Sequence, residues 1–238
     1  MTTGALESGA FVGLNETSRR IVEAAVEAFA DRGFHATTTR DIAVAAGLSP
    51  AGLYVHYPSK AAVLAQVSLL GHEGALQLVR ASLATDPPDL PDRPDVPEVP
   101  GGSAERLEHF VQTFTAWHAR HHKVARVVQY ELGALSAQDR AEVARMRRSI
   151  ESLVEGEVRR GVEAGELAVD DPHGVTRAVL SLCIDVARWF DPAGRESPED
   201  VAALYGRLAL RMLGASSTTA STTASTAASA TARTTEDT

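Results

Sequence analysis

Apolar residues recur every three or four positions along most of the chain, and this spacing predicts helices. Ile21, Ala25 and Phe29 lie four residues apart, which gives the first helix one apolar face, and Gly33 suits its C-terminal cap. No segment alternates apolar and polar residues with the period of two that a half-buried strand requires. The sequence therefore predicts an all-α fold.

The second helix is short and is marked by residues that start and stop helices. Thr38 followed by Asp41 fits a capping box at its start. Ile42 and Ala45 are then predicted to face inward, and Gly47 ends the helix.

The third helix spans about two turns between two prolines. Ser49 suits its N-cap and Pro50 its first position, where the missing N–H of proline has no cost. Pro58 ends the helix, and Ser59 caps a fourth one. The second and third helices, with the turn at residues 47–49 between them, are therefore interpreted as a helix-turn-helix.

Longer helices are predicted between residues 104 and 213. The helical period continues through residues 121–135 and 137–165, and two more helices follow. These last two helices each have an apolar seam, which in the first of them alternates steps of four and three residues as in coiled coils. The seams consist of Val175, Val179, Leu182, Val186 and Trp189, and of Val201, Leu204, Leu208 and Met212.

Shifts in composition divide the chain into four parts. Residues 1–14 are predicted to be a flexible arm and residues 15–62 a helix-turn-helix domain. Residues 63–213 are predicted to be a larger helical domain, with a proline-rich loop at 85–103 that contains six prolines. Residues 214–238 are rich in Ser, Thr and Ala, and we expect them to be disordered because they have almost no apolar surface to bury.

Charge and cysteine content limit the class of protein. The formal net charge of the 238 residues is −8, which argues against a generally basic nucleic-acid coat. Residues 15–70 are neutral, with five basic and five acidic side chains, so the acidity lies in the rest of the chain. Cys183 is the only cysteine, and the sequence shows neither a signal peptide nor a stretch near the ~20 apolar residues that span a bilayer. A cytoplasmic protein without membrane contact is expected.

The helix-turn-helix is the strongest functional signal. A short helix that protrudes from a domain fits the major groove of B-DNA, and its N-terminal residues reach base edges. Gly52 weakens such a helix by roughly 1 kcal/mol relative to Ala, and close approach to DNA would explain it. Tyr54, His56 and Tyr57 can donate to phosphates. Lys60 can pair with a phosphate beside free backbone N–H groups at a helix start.

Residues 17–64 resemble the DNA-binding domain of the tetracycline-repressor (TetR) family of bacterial transcription regulators. The similar stretch reads IVEAAVEAFADRGFHATTTRDIAVAAGLSPAGLYVHYPSKAAVL. It contains Phe29 and Gly33-Phe34 at the end of the first helix, a Thr-Thr-x-x-Ile-Ala second helix, and Gly-x-Ser at the turn. Leu-Tyr-x-His-Tyr followed by Lys completes the pattern.

This resemblance implies a homodimer that binds double-stranded DNA at a palindromic operator through three N-terminal helices. The larger domain would bind a small-molecule effector, and its last two helices would form the dimer. The resemblance places Thr39 and Arg40 on phosphate, Lys60 on the DNA backbone, and the following residues at the groove: Ser49, Ala51, Gly52, Tyr54, His56 and Tyr57. Val55 replaces the aromatic or polar residue of many relatives, and Ala51-Gly52 offers few hydrogen bonds, so DNA shape would contribute to recognition.

The end of the chain resembles a subset of this family. Residues 187–213, ARWFDPAGRESPEDVAALYGRLALRML, are similar to regulators of fatty-acid and steroid breakdown that respond to acyl-CoA esters, although the similarity could also reflect dimer packing alone. An apolar or acyl-CoA-like effector is therefore expected. The candidate pocket residues, which could equally be plain core, are Phe110, Phe114, Trp117, His118, His121, Tyr130, Met146, Cys183 and Trp189.

Other chemistries find less support in the sequence. His118, His121 and His122 have a spacing that can hold a metal, but no Cys or acidic ligand lies at a fitting distance, and no metal or cofactor is predicted. Arginines 145, 147 and 148 are interpreted as a solvated face rather than a site for CoA phosphates. No nucleophile motif or phosphate-binding loop indicates an enzyme. A ligand-released repressor is thus predicted, and a helical partner-binding or scaffold protein without a specific DNA target is the alternative.

Overall fold

The computed structural model describes residues 13–84 and 101–215, and within these ranges it is entirely helical. It confirms the predicted all-α fold. The predicted arm and the disordered tail lie almost wholly outside the described residues, as does most of the proline-rich loop. The helices are α1 (Glu16–Ala36), α2 (Thr39–Ala45), α3 (Pro50–His56), α4 (Lys60–Ser82), α5 (Ser103–Arg120), α6 (His122–Tyr130), α7 (Ala137–Glu163), α8 (Pro172–Trp189) and α9 (Pro198–Met212), with a 3₁₀ turn at Leu132–Ala134.

Helix α1 carries the predicted apolar face and is interrupted where the sequence predicts its end. Ile21 and Ala25 are fully buried, and Phe29 is nearly so. Gly33 has φ +79°, a left-handed conformation that glycine adopts without strain, and one further turn follows it. The chain then becomes extended at Thr37, whose hydroxyl donates to the carbonyls of Ala28 and Gly33 at 3.0 and 2.9 Å.

The capping signals of the helix-turn-helix are confirmed. Thr38 and Asp41 form the capping box of α2, and Gly47 has φ +69° after the helix ends. The N–H of Leu48 donates to the carbonyl of Ala43 at 2.8 Å, which closes the turn. Ser49 accepts a hydrogen bond from the N–H of Gly52 at 3.1 Å and thereby caps α3.

The predicted inward face of α2 is wrong at one position. Ile42 is fully buried, but Ala45 is exposed, and Ala43 and Ala46 are buried in its place. On so short a helix a shift of one residue changes the direction of a side chain by about 100°. Two adjacent alanines permit this shift because either one fits against α1.

Helix α4 belongs to both parts of the molecule. Its first half packs Val63, Leu64 and Val67 into a core shared with α1, α2 and α3, to which α6 also contributes. Its second half packs Ala75 and Val79 into a core with α5, α7, α8 and α9. The core of the helix-turn-helix thus extends beyond residue 62, where the sequence predicts the domain boundary.

The sequence expectation that no stretch could span a bilayer does not hold for α4. Among residues 13–84 and 101–215, α4 alone is long and apolar enough to cross a membrane by length and composition, and 50% of its most apolar window is buried inside the protein. Its apolar residues supply both cores, which explains its composition without a membrane.

The larger domain is organised around α5. Helix α9 approaches it closely at Gly206, where a Cβ atom would lie 2.8 Å from Cγ of Gln112. Helix α7 is joined to α5 by a buried ion pair, in which Arg106 donates to the fully buried carboxylate of Glu157 at 2.8 Å. These contacts hold α7 and α9 against α5.

Candidate DNA interface and effector pocket

One side of helix α3 packs on the core, and its opposite side is exposed to solvent. Leu53 is fully buried and fixes the helix on the core. On the opposite side Val55 is 81% exposed and Tyr54 is 51% exposed, and Ala51 and His56 are exposed as well. Val55 is packed against nothing within the described residues, and a short exposed helix of this kind can enter the major groove of B-DNA.

Tyr54 connects α3 to the start of α2. Its hydroxyl lies 3.1 Å from Oγ1 of Thr39, the first residue of α2. Arg40 follows and is exposed on the same end of the helix. Two hydroxyl groups, a guanidinium group and the first turn of a helix therefore form one polar edge, which is the arrangement that binds a phosphate group.

Within residues 13–84 and 101–215, no close contact at Gly52 requires a glycine. A Cβ atom added there would meet Oγ of Ser49 at 3.4 Å and Cβ of Leu48 at 3.8 Å, both of which are ordinary contacts. Its backbone is not in the left-handed region. The space that glycine leaves open therefore faces outward, on the exposed side of α3.

Lys60 does not present its charge to the outside, contrary to the sequence expectation. Its Nζ atom donates to the carbonyls of Phe34 and Thr37 at 2.6 Å, and His35 O lies at 3.4 Å. The ammonium group also lies 4.3 Å from the centre of the Phe34 ring. Because three acceptors surround its three N–H groups, Lys60 fixes the connection between α1 and α2 and leaves the phosphate-binding set.

Two other predicted contacts differ in burial. Tyr57 is 8% exposed and belongs to the core, where burial raises the pKa of its hydroxyl. His56 remains exposed, but its Nδ1 lies 3.4 Å from Oγ of Ser18 on α1. Tyr57 is therefore a core residue, contrary to the sequence expectation, and His56 stays a candidate DNA contact.

A cavity of about 230 Å³ lies in the larger domain between α4, α5, α6, α7 and α8. Its wall is mostly apolar, and its exposed lining residues Arg147 and Arg177 mark the mouth. Glu151 lies between them, with its carboxylate 3.8 Å from Nε of Arg177. The apolar lining residues are Gly71, Ala75, Phe114, Trp117, Val124, Ala125, Val128, Ile150, Leu180 and Ile184.

Two histidines belong to the polar part of the lining, which also includes Gln129 and Ser181. His72 on α4 donates from Nδ1 to the carbonyl of Ser68 at 2.8 Å, and its Nε2 accepts a hydrogen bond from Nε of Arg147 at 2.9 Å. His118 on α5 donates from Nδ1 to the carbonyl of Phe114, also at 2.8 Å. Burial lowers the pKa of each histidine to about 4, so both rings are neutral at pH 7.

Comparison with known proteins accounts for both halves of this architecture. Residues 21–67 match the model of the bacterial regulatory proteins of the tetR family, and residues 100–213 match that of the tetracyclin repressor-like C-terminal domain. A solved regulatory protein of this family from Rhodococcus RHA1 is 36% identical, with a TM-score of 0.74, and the match covers 85% of this chain and 100% of that one. The chain belongs to the TetR family. It is accordingly a DNA-binding transcription regulator and not an enzyme.

Two further comparisons concern a repressor and a solved complex with DNA. The transcriptional repressor KstR2 of Rhodococcus jostii is 29% identical over 194 residues, which cover 80% of this chain and 87% of that protein. AibR, solved with isovaleryl coenzyme A and operator DNA, is 21% identical with a TM-score of 0.69, over 84% of this chain and 100% of that one. The second comparison shows a shared fold.

The structure brings three of the nine predicted pocket residues to the cavity of this TetR protein, namely Phe114, Trp117 and His118. Phe110, Met146 and Cys183 lie in the core, and burial raises the pKa of the Cys183 thiol to about 12. His121 is 8% exposed and lies outside the cavity, while Tyr130 and Trp189 are surface residues, 65% and 42% exposed. The predicted set therefore combines residues that line the cavity with residues of the core and of the surface.

The sequence interpretation missed His72, Arg147 and Arg177. A histidine directly after the apolar residues Leu69, Leu70 and Gly71 was a usable signal for His72, because a buried polar side chain needs a partner. Arg147 lies 75 positions after His72 in the sequence, so helical spacing could not reveal that these two side chains form a hydrogen bond. Arg147 is also a correction to the view that the arginines of α7 form only a solvated face.

Helix α6 connects the cavity of this TetR protein to its DNA-binding helices. Val124, Ala125 and Val128 line the cavity. Just after the helix, Oε1 of Glu131 accepts the N–H of Phe34 at 2.9 Å, beside the break at Gly33. Lys60 at the start of α4 binds the carbonyls of the same segment. Helices α4 and α6 both line the cavity. Through Lys60 and Glu131, respectively, they are hydrogen-bonded to the backbone of residues 33–37, which lead into α2.

Proposed function

We propose that this TetR-family protein is a cytoplasmic homodimeric repressor, which binds a palindromic operator through α3 and is released by an apolar, acyl-CoA-like effector. Residues 15–62 read the DNA, and residues 63–213 bind the effector and form the dimer. The observation that carries the proposal is the exposed face of α3, which displays Tyr54 and Val55 beside Gly52. Thr39, Arg40, Ser49, Ala51 and His56 complete the DNA-binding set.

The experiment that tests DNA binding uses a palindrome from the promoter of the chain's own gene. Fluorescence anisotropy compares this labelled duplex with a random duplex of equal length at moderate salt, because charge alone makes any duplex bind at low salt. The palindrome should bind at least a hundredfold more tightly. Equal binding of both duplexes would contradict a specific operator and favour the partner-binding alternative.

Replacing Gly52 with alanine should change stability and operator affinity in opposite directions. Alanine fits the folded chain without a clash and favours the helix by about 0.5–1 kcal/mol, so the melting temperature should be unchanged or higher. The added methyl group should meet the wall of the major groove and weaken operator binding about tenfold or more. Circular dichroism melting and operator anisotropy measure the two effects.

The matched control for this variant is Ala45→Gly on α2, which is also exposed and lies in the neighbouring helix. It should lower the melting temperature slightly and leave operator affinity within about threefold. If Gly52→Ala binds the operator as tightly as the wild type, α3 does not approach the groove at this residue.

The effector class rests on the chemistry of the cavity. Its apolar wall suits an acyl chain, and Arg147 and Arg177 at the mouth suit the phosphates of a coenzyme A moiety that extends outside. The solved complex of AibR with isovaleryl coenzyme A and operator DNA supports this class for the shared fold. Octanoyl-CoA should therefore release the operator, whereas coenzyme A alone should not. Failure of a series of acyl-CoA chain lengths to bind would contradict the class.

We further propose that Glu131 transmits the state of the cavity to α2. An effector that displaces α6 would change the contact between Glu131 and the N–H of Phe34, and the resulting free energy would shift the population of DNA-binding conformations. The Glu131→Ala variant should bind operator and octanoyl-CoA within about threefold of the wild type. Octanoyl-CoA should no longer lower its operator affinity by more than about threefold, as anisotropy titrations would measure.

The control for this prediction is Glu27→Ala, which removes the other polar link between α1 and α6. Glu27 pairs with Lys123, and both side chains are substantially exposed, so little free energy is expected from the pair. This variant should respond to octanoyl-CoA like the wild type. A full response by Glu131→Ala would exclude the contact as the coupling element.

A further inference from the structure

His118 is held in one orientation at the wall of the cavity. Its ring is 4.4 Å from the ring of Phe114 and 5.0 Å from that of Trp117, edge to face in both cases, and the residue is 5% exposed. Its Nδ1 lies 2.8 Å from the carbonyl oxygen of Phe114. Because a carbonyl oxygen only accepts, Nδ1 must carry the proton.

The other ring nitrogen of His118 is therefore a hydrogen-bond acceptor. Burial lowers the pKa of the ring, so Nε2 stays unprotonated at pH 7. Within residues 13–84 and 101–215, no donor lies within hydrogen-bond distance of Nε2. Nε2 is also not fully enclosed by the protein. Among the described residues, the fully enclosed side-chain atoms that lack a hydrogen-bond partner are the hydroxyl oxygens of Thr115 and Thr176, and Nε2 of His118 is not one of them. Nε2 thus faces the cavity.

His72 shows what a satisfied histidine looks like in the same cavity. It has the same bond from Nδ1 to a carbonyl in its own helix, but its Nε2 accepts from Nε of Arg147 at 2.9 Å. The acceptor of His72 is therefore occupied by the protein, and that of His118 is left for a ligand. The surrounding wall is mostly apolar, so a purely apolar ligand would leave Nε2 both dry and unpaired.

We propose that the effector carries a hydroxyl group within its apolar body and that Nε2 of His118 accepts a hydrogen bond from it. A hydroxyl group satisfies the lone pair with one donor, whereas an amide would also bring a carbonyl oxygen into an apolar wall. The proposal rests on the proposed effector site and narrows its ligand from apolar molecules in general to hydroxylated ones. His118 is then a residue that determines specificity.

Two probes of equal size test the hydroxyl group without any assumption about coenzyme A. Octan-1-ol and 1-methoxyheptane have the same heavy-atom composition, but only the alcohol can donate a hydrogen bond. Calorimetric titration should show that the wild type binds octan-1-ol about tenfold more tightly, because a site built to bond a hydroxyl group rejects the analogue that lacks it. Equal affinities, or no binding of octan-1-ol, would overturn the proposal.

The variants His118→Phe and His121→Phe test whether Nε2 of His118 causes the preference for octan-1-ol. The ratio of affinities should fall to about one in His118→Phe and recover in His118→Gln, whose amide oxygen can accept. His121 has the same type of bond, from Nδ1 to the carbonyl of Trp117 at 2.9 Å, but lies outside the cavity, so its variant should keep the tenfold ratio. A tenfold ratio retained by folded His118→Phe would also overturn the proposal.

The experiments distinguish failure of the hydroxyl-group proposal from failure of the proposed acyl-CoA class. Binding of octanoyl-CoA together with equal binding of the two small probes would keep the acyl-CoA class and reject the hydroxyl group. The alcohol preference without any binding of acyl-CoA would keep the hydroxyl group and reject the class. If both hold, a hydroxylated octanoyl-CoA should bind about tenfold more tightly than octanoyl-CoA itself.

Discussion

Replacing Lys60 with methionine should lower the melting temperature by at least about 6 °C and abolish specific operator binding. The ammonium group donates to two backbone carbonyls at 2.6 Å, and charge-assisted hydrogen bonds contribute about 1.5–3 kcal/mol each. Methionine keeps the length of the side chain but leaves the carbonyls of Phe34 and Thr37 without this donor. In a chain of this size, about 1 kcal/mol corresponds to roughly 2–4 °C.

Operator binding should fail because of what those carbonyls position. Thr37 leads directly into the cap of α2, and Thr39 at the start of α2 contacts Tyr54 of α3. A loosened segment between Gly33 and Thr37 would therefore misplace both helices of the helix-turn-helix. Scanning calorimetry and operator anisotropy would measure the two losses.

The control is Lys123→Met, since Lys123 makes its contact with the exposed carboxylate of Glu27. Its melting temperature should change by no more than about 1–2 °C. A Lys60→Met variant that loses operator binding but keeps the wild-type melting temperature would support the original phosphate-binding role of Lys60. Its hydrogen bonds to the carbonyls would then be dispensable for folding.

Local signals made the helix-turn-helix predictable. The capping box of Thr38 and Asp41, the left-handed Gly47 and the cap at Ser49 each act within four residues of themselves, so the sequence contains all the information. The role of Lys60 was not local in this sense. Its partners lie 23 and 26 positions earlier, and only the packing of α4 against the end of α1 brings them together.

The effector pocket was predictable in kind but not in membership. Of the candidate pocket residues on α5, Phe110, Phe114 and His118 are all buried in the structure. Which of them borders a space depends on the side chains that α4, α7 and α8 bring opposite each one. The volume between helices depends on many residues that are distant in sequence, so the spacing of residues along one helix cannot predict it.

The predicted apolar seams of α8 and α9 show the same limit of sequence-based prediction at the surface of the protein. Val179, Val186 and Val201 are buried within the single chain, but Trp189, Leu204 and Met212 are 42%, 39% and 42% exposed. The coiled-coil spacing identified an apolar seam but could not tell which residues pack within one chain. Apolar side chains left exposed on α8 and α9 are what a second copy of the chain would cover.

Replacing Leu204 with arginine should therefore convert the proposed dimer into a folded monomer. Leu204 is partly exposed in the single chain, so the substitution causes no clash within it. In a dimer formed by α8 and α9 the new charge would be buried without a partner, at a cost of several kcal/mol for each of two symmetric sites. Sedimentation equilibrium should show a monomer at concentrations where the wild type is a dimer.

Operator affinity should decrease at least a hundredfold in the same variant. A dimer binds its second half-site as an intramolecular event, and this effective concentration is lost when the subunits separate. Leu153→Arg is the matched control, because Leu153 on α7 is 37% exposed but lies outside the seams of α8 and α9. It should remain dimeric and bind the operator within about threefold of the wild type. If Leu204→Arg remains a dimer, the subunits associate through a surface other than this seam.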